Sequence, residues 1–272
     1  MNTTDIMGLD TYPIGRGKIR SVNYNMDEAY KEILKAKLFI SVIQIFDWAF
    51  LYRNYRGDPN FILSPPTLQE MRSMSWQALV AGGKGIIFYS LFDIIRMDEI
   101  SPYEERWKDV IEFTNEIWQY KDIILSIDEV NKIEYSQNDN VTFKQWKYNN
   151  SNYIVIVNLE RNKERFKIDL LDKFEINKEF GLGTFKENGT EIIFNLEPLD
   201  VIIMQYTEII KEYMDHSNKS KILIIFFIIF IIIIFIVVVF FFVKRYFMKK
   251  DINKNYIDSV SKLMTDDNYL LN

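Results

Sequence analysis

The hydrophobic pattern is dominated by one uninterrupted apolar run, residues 222–243, which contains no charged residue, glycine or proline. The hydrocarbon core of a bilayer is about 30 Å thick and needs about 20 helical residues to cross. A buried core helix is the alternative, but such helices usually keep a polar face. The run also lies far from Met1, where a signal peptide would stand. The pattern therefore predicts one transmembrane helix over residues 222–243, with the lipid bilayer as its partner.

The first 125 residues alternate short apolar strands with amphipathic helices. We predict strands at residues 5–9, 38–46 and 84–90, and helices at residues 26–37 and after two capping boxes, Thr67 with Glu70 and Ser101 with Glu104. Pro102 is expected at the first position of the last helix. Alternation of strand and helix is typical of βα units on a parallel sheet, so residues 1–125 are predicted to form an α/β domain.

Residues 126–207 change to the period of two that is typical of half-buried strands. Residues 141–147 and 153–158 flank an Asn-rich turn and predict a hairpin, and further strands are expected at 165–170, 191–196 and 201–206. This pattern predicts a small antiparallel β-sandwich domain. Residues 208–221 would form a polar stalk, and the tail, 244–272, is too short and polar to fold alone.

The residues that flank the span set its expected orientation. Lys244, Arg245, Lys249 and Lys250 follow the span directly. The positive-inside rule therefore places the tail in the cytoplasm and the N-terminal region outside the cell or in a lumen.

The pattern of N-x-S/T sequons agrees with this orientation. Apart from Asn2, the candidate glycosylation sites are Asn140, Asn149, Asn188 and Asn218. All of them precede the span and none follows it. However, the chain has no cysteine and no apolar segment near Met1, which leaves open a tail-anchored protein that faces the cytosol.

Composition excludes several kinds of function. The net charge of −5 argues against nucleic-acid binding. The one histidine, His216, lies in the predicted stalk, so a Ser-His-Asp relay and a histidine-based metal site are not expected. Without cysteine there is no thiolate nucleophile, and we expect neither a metal nor another cofactor. The aromatic content of 15% suits a sugar-binding surface and equally suits a core.

Three segments carry a resemblance to a known family. The segment DIMGLDTYPI at 5–14 resembles the sixth strand of glycoside-hydrolase-like (β/α)8 barrels, and VIQIF at 42–46 resembles the seventh. The stretch from PPTLQEMR at 65–72 through WQALVAGGKGIIFYS at 76–90 resembles the seventh helix and eighth strand, and it is the most specific of the three. The resemblance covers roughly residues 5–207. It implies the last three βα units of a TIM barrel followed by a C-terminal β domain, with a carbohydrate-active ancestry.

The resemblance also implies where a glycan ligand would bind, because the active sites of these barrels lie at the C-terminal ends of the strands. The residues expected there to contact substrate are Asp10, Tyr12, Gln44, Trp48, Tyr89 and Asp93. Each has an ordinary alternative. Asp10 could shape a turn, Gln44 could satisfy a backbone group, the other acid could belong to a loop, and the aromatic side chains could serve packing.

Catalysis by this chain is left open. Glycoside hydrolysis needs two carboxylates that flank the scissile bond, and related barrels carry the acid on the fourth strand, which this sequence lacks. At the seventh strand stands Gln44, which cannot be a nucleophile, and Asp47 three residues later is the acidic candidate.

We therefore expect a single-pass membrane protein with a fragment of a glycoside-hydrolase-like barrel, which processes or binds carbohydrate by ancestry and is catalytically incomplete. It would be an enzyme if the upstream half of the barrel exists. The alternative is a non-enzymatic surface or structural protein. A partial barrel would also leave unpaired strand edges, through which copies of the chain would self-associate. The substrate and its linkage do not follow from the sequence.

Overall fold

The computed structural model describes residues 5–32, 38–48, 64–96, 102–128, 130, 132–209 and 216–266. The chain divides into two compact units, Met1–Ile210 and Lys211–Asn272. The first unit is a mixed α/β structure, and the second consists, in its described part, of one long helix.

The first unit begins with a parallel sheet of three strands. These are β1, Ile6–Thr11, β2, Leu38–Gln44, and β3, Gly85–Tyr89, in the order β1-β2-β3. The three predicted strands are confirmed to within two residues. The apolar segments of β2 and β3 suit a parallel sheet, because such strands are commonly buried on both faces.

Helices follow the strands in the order that the sequence predicts. They are α1, Ser21–Glu32, α2, Leu68–Val80, α3, Leu91–Arg96, α4, Tyr103–Gln119, and α5, Lys121–Leu125. The prediction for α1 starts too late, because the buried side chains of Val22 and Met26 lie before its acidic residues. Residues 33–37 of that prediction lie outside the described residues.

The two predicted capping boxes have different outcomes. At α2, the Glu70 N–H donates to Thr67 Oγ1 at 3.2 Å and the Thr67 N–H donates to Glu70 Oε2 at 2.8 Å, so this box is confirmed. At α4, Pro102 is the N-cap and not the first helical residue, and the helix has no side-chain cap hydrogen bond. Ser101 lies outside the described residues.

The helix α2 is buried on all sides, as expected for a helix that packs between two layers. Met74 and Ala78 pack in the cluster that contains the parallel-sheet residues Phe39 and Ile43. On another side, Trp76 packs in the cluster that contains residues of the antiparallel strands. The regions predicted as separate domains, 1–125 and 126–207, thus pack together within one unit, and the boundary between them stays a prediction.

The remaining strands form two antiparallel sheets of four strands each, in the orders β4-β7-β10-β9 and β5-β6-β11-β8. The strands are β4, Glu134–Tyr135, β5, Val141–Tyr148, β6, Ser151–Asn158, β7, Glu164–Asp169, β8, Phe174–Phe180, β9, Thr184–Asn188, β10, Glu191–Leu196, and β11, Val201–Glu208. One apolar cluster joins both sheets, with Ile154 and Met204 from one and Phe166 and Phe194 from the other. The predicted hairpin and three further strands are confirmed, whereas β4, β8 and β9 were not predicted.

The second unit contains α6, His216–Asp266. Its segment Phe226–Arg245 is long and apolar enough to cross a membrane, and its side chains are exposed in the isolated chain. This agrees with the predicted span at 222–243, while the orientation of the span stays a prediction. Beyond the span, α6 continues without a break through Asp266, so the described part of the tail extends the same helix. That the tail is too short and polar to fold alone stays a prediction.

Candidate functional site

The carboxyl ends of the three parallel strands carry a cluster of four aromatic side chains, which we call the aromatic cluster: Tyr12, Phe46, Trp48 and Tyr89. Tyr12 and Tyr89 stack with ring centroids 5.7 Å apart and planes inclined by 25°. Phe46 meets Tyr12, Trp48 and Tyr89 edge to face, at 5.2, 4.9 and 5.9 Å. The parallel register causes this convergence, because strands of one direction end at the same edge of the sheet.

Polar contacts hold the cluster at its border. The Trp48 Nε1–H donates to the backbone oxygen of Tyr12 at 3.3 Å. The guanidinium carbon of Arg16 lies 4.1 Å from the centre of the Trp48 ring, which is a cation–π distance. Arg16 also lines a surface cleft of about 660 Å³, together with Thr67, Glu70 and residues of the β1–α1 loop. The aromatic cluster and this cleft therefore share one cationic side chain.

Asp10 gives the cluster an exposed carboxylate. It lies within β1, one residue before the end of the strand, and its side chain hydrogen-bonds that of Tyr12. Burial, the negative charge of Asp10 and the neighbouring Tyr89 raise the pKa of Tyr12 to about 12. The Tyr12 hydroxyl is therefore neutral at physiological pH, and it donates its proton to the Asp10 carboxylate.

Gln44 lies at the end of β2 and is fully buried, with 0% of its surface exposed. Its Oε1 accepts the Ile14 N–H at 2.9 Å, and its Nε2 donates to the Ile14 oxygen at 3.1 Å and the Phe46 oxygen at 3.0 Å. These bonds tie the β1–α1 loop to the segment that carries Phe46. The bonding favours the structural alternative for Gln44, which positions the site and is not exposed to a ligand.

The two other acidic candidates are buried. Asp93 is 6% exposed and bonds Ser90, whose Oγ also accepts the Asp93 N–H at 3.2 Å, so it serves the turn that opens α3. Asp47 is 1% exposed. Burial lowers the pKa of Arg106, and the charges of Asp109, Glu70 and Asp47 oppose that shift, so Asp47 lies within electrostatic reach of a buried cation.

The structure thus brings together Asp10, Tyr12, Trp48 and Tyr89 on an accessible surface. The other three predicted residues, Gln44, Asp47 and Asp93, are buried. Tyr89 is 47% exposed, so one face of the cluster can be reached from solvent. Stacking on aromatic rings, with a carboxylate and a guanidinium at the border, is chemistry suited to binding. Among the described residues, no group of His, Cys, Asp and Glu could hold a metal ion.

Two residues of the site, Phe46 and Arg16, are not among the residues predicted from the sequence. Phe46 is the last residue of the predicted strand 38–46, and its place between Gln44 and Trp48 was the available signal that it belongs to the same strand end. Arg16 lies between two glycines in the β1–α1 loop, and a cation in such a loop was the available signal.

Comparisons with known proteins give similarity at the level of structure alone. No protein-family model matches the sequence, and no curated protein matches it significantly. The structure of the chain is similar to those of solved glycoside hydrolases at low sequence identity. One is an alpha-amylase from H. orenii, with a TM-score of 0.37 and 11% identity, covering 72% of this chain and 48% of that one. A GH30 endoxylanase from Clostridium papyrosolvens has a TM-score of 0.38 and 10% identity, covering 75% of this chain and 49% of that one. An alpha-amylase from Geobacillus thermoleovorans has a TM-score of 0.39 and 12% identity, covering 68% of this chain and 43% of that one.

The chain spans about half the length of these solved structures.

Proposed function

We propose that this chain is a single-pass membrane protein that binds carbohydrate at the aromatic cluster and does not hydrolyse it. The observation that carries the proposal is the convergence of Tyr12, Trp48 and Tyr89 at the carboxyl ends of three parallel strands. The C–H faces of a sugar ring pack well on aromatic rings, and its hydroxyl groups need both donors and acceptors. Towards a ligand, Asp10 and the Tyr12 hydroxyl oxygen can accept hydrogen bonds, and Arg16 can donate them.

The parallel sheet supports an origin in a barrel. In the registers of the sheet, Asp10, Val42 and Ile87 lie on the face opposite the helices, and Ile87 is 51% exposed. Parallel sheets are normally covered on both faces, and both outer strands here have an open edge in the described part of the chain. Such a face and such edges fit the last three strands of a (β/α)8 barrel, with the two antiparallel sheets as its C-terminal β-sandwich domain.

The acids at the site support binding without catalysis. Hydrolysis of a glycosidic bond needs two carboxyl groups that reach the same bond. Of the acidic candidates, Asp10 is exposed, whereas Asp47 and Asp93 are buried. One accessible carboxylate can bind a hydroxyl group but cannot act as both acid and nucleophile at one bond.

The test is glycan binding by the full chain in lipid nanodiscs, measured by calorimetry with a panel of neutral oligosaccharides. Tyr89→Ala should weaken binding about five-fold, as expected when an aromatic contact worth ~1 kcal/mol is lost. Trp118→Ala is the matched control, because Trp118 is also an exposed aromatic residue, 65% exposed, but lies on α4 and outside the cluster. Equal binding by wild type and Tyr89→Ala would contradict the proposal.

The same preparations test the absence of catalysis. We expect no release of reducing sugar from any oligosaccharide that binds. Hydrolysis that disappears in Asp47→Asn would identify Asp47 as a catalytic residue and refute the non-catalytic part of the proposal, while leaving glycan binding intact.

A further inference from the structure

The end of the apolar span is followed at once by cations within the same unbroken helix. Lys244, Arg245, Lys249 and Lys250 lie in α6, and the first acidic residue after the span is Asp251. We propose that residues 244–250, the basic girdle, form a binding site for the headgroups of anionic lipids. The inference rests on the span and not on the carbohydrate-binding proposal.

The depth of the girdle matches the headgroup layer. Six residue steps from Lys244 to Lys250 rise about 9 Å along a helix. Each polar headgroup layer of a bilayer is roughly 5–7 Å thick, and long basic side chains can extend several ångströms along the helix. The uncharged run 222–243 is long enough to cross the hydrocarbon core, so the girdle, which starts at Lys244, would begin at the core boundary. Because α6 does not break there, positions 244, 245, 249 and 250 follow one another at successive heights along one helix axis.

The distribution around the helix favours lipids over a protein partner. Each residue turns a helix by about 100°, so positions 245, 249 and 250 lie roughly 100°, 140° and 240° from position 244. These four positions are therefore spread around most of the circumference of the helix. A protein partner would contact one stripe of the helix, whereas lipids surround it on all sides. Clusters of basic residues beside a span attract anionic lipids, and each basic residue adds a favourable term.

The experiment measures lipid selectivity of the full chain reconstituted in phosphatidylcholine bilayers. Spin-labelled phosphatidylserine and spin-labelled phosphatidylcholine are added separately, and electron spin resonance gives the motionally restricted fraction of each. We expect a preference of roughly five-fold for phosphatidylserine, the effect of about one lysine–headgroup attraction. In about 1 M salt, where the Debye length is ~3 Å, the preference should fall toward one.

Two variants locate the site. The variant with K244Q, R245Q, K249Q and K250Q should lose the preference while remaining helical and inserted in the bilayer, as circular dichroism and vesicle flotation can verify. The control, K219Q with K221Q, changes the two lysines at the other end of the span and should keep it. Absence of selectivity in the wild type, its persistence in the four-glutamine variant or its loss in the control would each overturn the proposal. Both leaflets have the same composition, so the outcome does not depend on the orientation of the chain.

Discussion

Replacing Gln44 by glutamate tests whether this side chain positions the site or belongs to its chemistry. In Gln44→Glu, one carboxyl oxygen can still accept the Ile14 N–H. The other oxygen replaces the Nε2 donor and faces the backbone oxygens of Ile14 and Phe46, which lie 3.1 and 3.0 Å from Nε2 in the wild type. An ionised carboxylate cannot donate to either oxygen. A protonated carboxyl group can donate to one of them.

The cost can be estimated from these contacts. A buried polar group without its hydrogen bond costs ~1–3 kcal/mol, and two carbonyl groups lose their donor. We expect a destabilisation of ~2–4 kcal/mol at neutral pH, limited by protonation of the new carboxyl group in its buried site. Its pKa in the folded state should lie above the unfolded value of about 4.3. The variant is therefore closest to wild type below about pH 4, and its stability falls as the pH rises through the folded pKa.

The measurement is thermal unfolding followed by tryptophan fluorescence, because all five tryptophans lie in the first unit. A loss of ~3 kcal/mol should lower the melting temperature by roughly 6–12 °C in a unit of this size. The difference from wild type should be smaller at about pH 4.5 than at about pH 7.5. Gln44→Met, which cannot titrate, is the control and should show a difference that does not change with pH. An equal difference at both pH values in Gln44→Glu would refute the assignment of these bonds, and newly acquired hydrolysis would refute the positioning role.

Three further predictions follow from particular residues. If the open parallel sheet self-associates, Ile87→Lys should shift the full chain toward the monomer in sedimentation experiments, because a charge on the outer strand β3 disfavours edge pairing. Unchanged association would exclude this sheet as the interface. If the N-terminal region is luminal, mass spectrometry should find more glycan at Asn149 and Asn188 than at Asn140. Asn149 and Asn188 are exposed at hairpin turns, whereas the Asn140 side-chain amide donates to Glu164 at 2.8 Å. Absence of glycan at every site would favour the cytosolic alternative. Burial and the nearby Lys84 lower the pKa of Lys144 to about 8 in the folded chain. Between about pH 8 and pH 10.5 the unfolded chain binds one proton more at this lysine, so the free energy of unfolding of the wild type should rise with pH. Lys144→Met should lack this rise.

The fold could be predicted where the residue pattern is itself the cause of the structure. Continuous apolar strands, the Thr67–Glu70 capping box and the strict alternation around Asn149 are local signals, and the structure has these elements. The strands β8 and β9 could not be found in this way. Both alternate apolar with charged residues too weakly to stand out, and β9 lies mostly exposed at the end of its sheet. Their pairing with β11 and β10 supplies what their own sequence lacks.

The part of the candidate site that depends only on the parallel arrangement of the strands could be predicted from the sequence. Tyr12 and Trp48 follow strand ends and Tyr89 is the last residue of its strand, so a correct strand assignment brings them together. The hydrogen bonds of Gln44 depend on the conformation of the β1–α1 loop, which local sequence does not specify. Whether an acid is buried or accessible also depends on tertiary packing. Asp10 and Asp47 each follow an apolar residue in the sequence, yet Asp10 is exposed and Asp47 is buried.

The proposed separation of binding from catalysis rests on this difference in exposure. An aromatic platform needs rings from neighbouring strand ends, and three adjacent parallel strands are enough to build one. A pair of catalytic carboxyl groups must lie about 5–10 Å apart and must both be open to the same glycosidic bond. Of the three acidic candidates at the ends of β1, β2 and β3, Asp10 is exposed, whereas Asp47 and Asp93 are buried. These strand ends therefore present an aromatic surface with one accessible carboxylate among the three candidates, and hydrolysis would require a second carboxyl group that is open to the same bond.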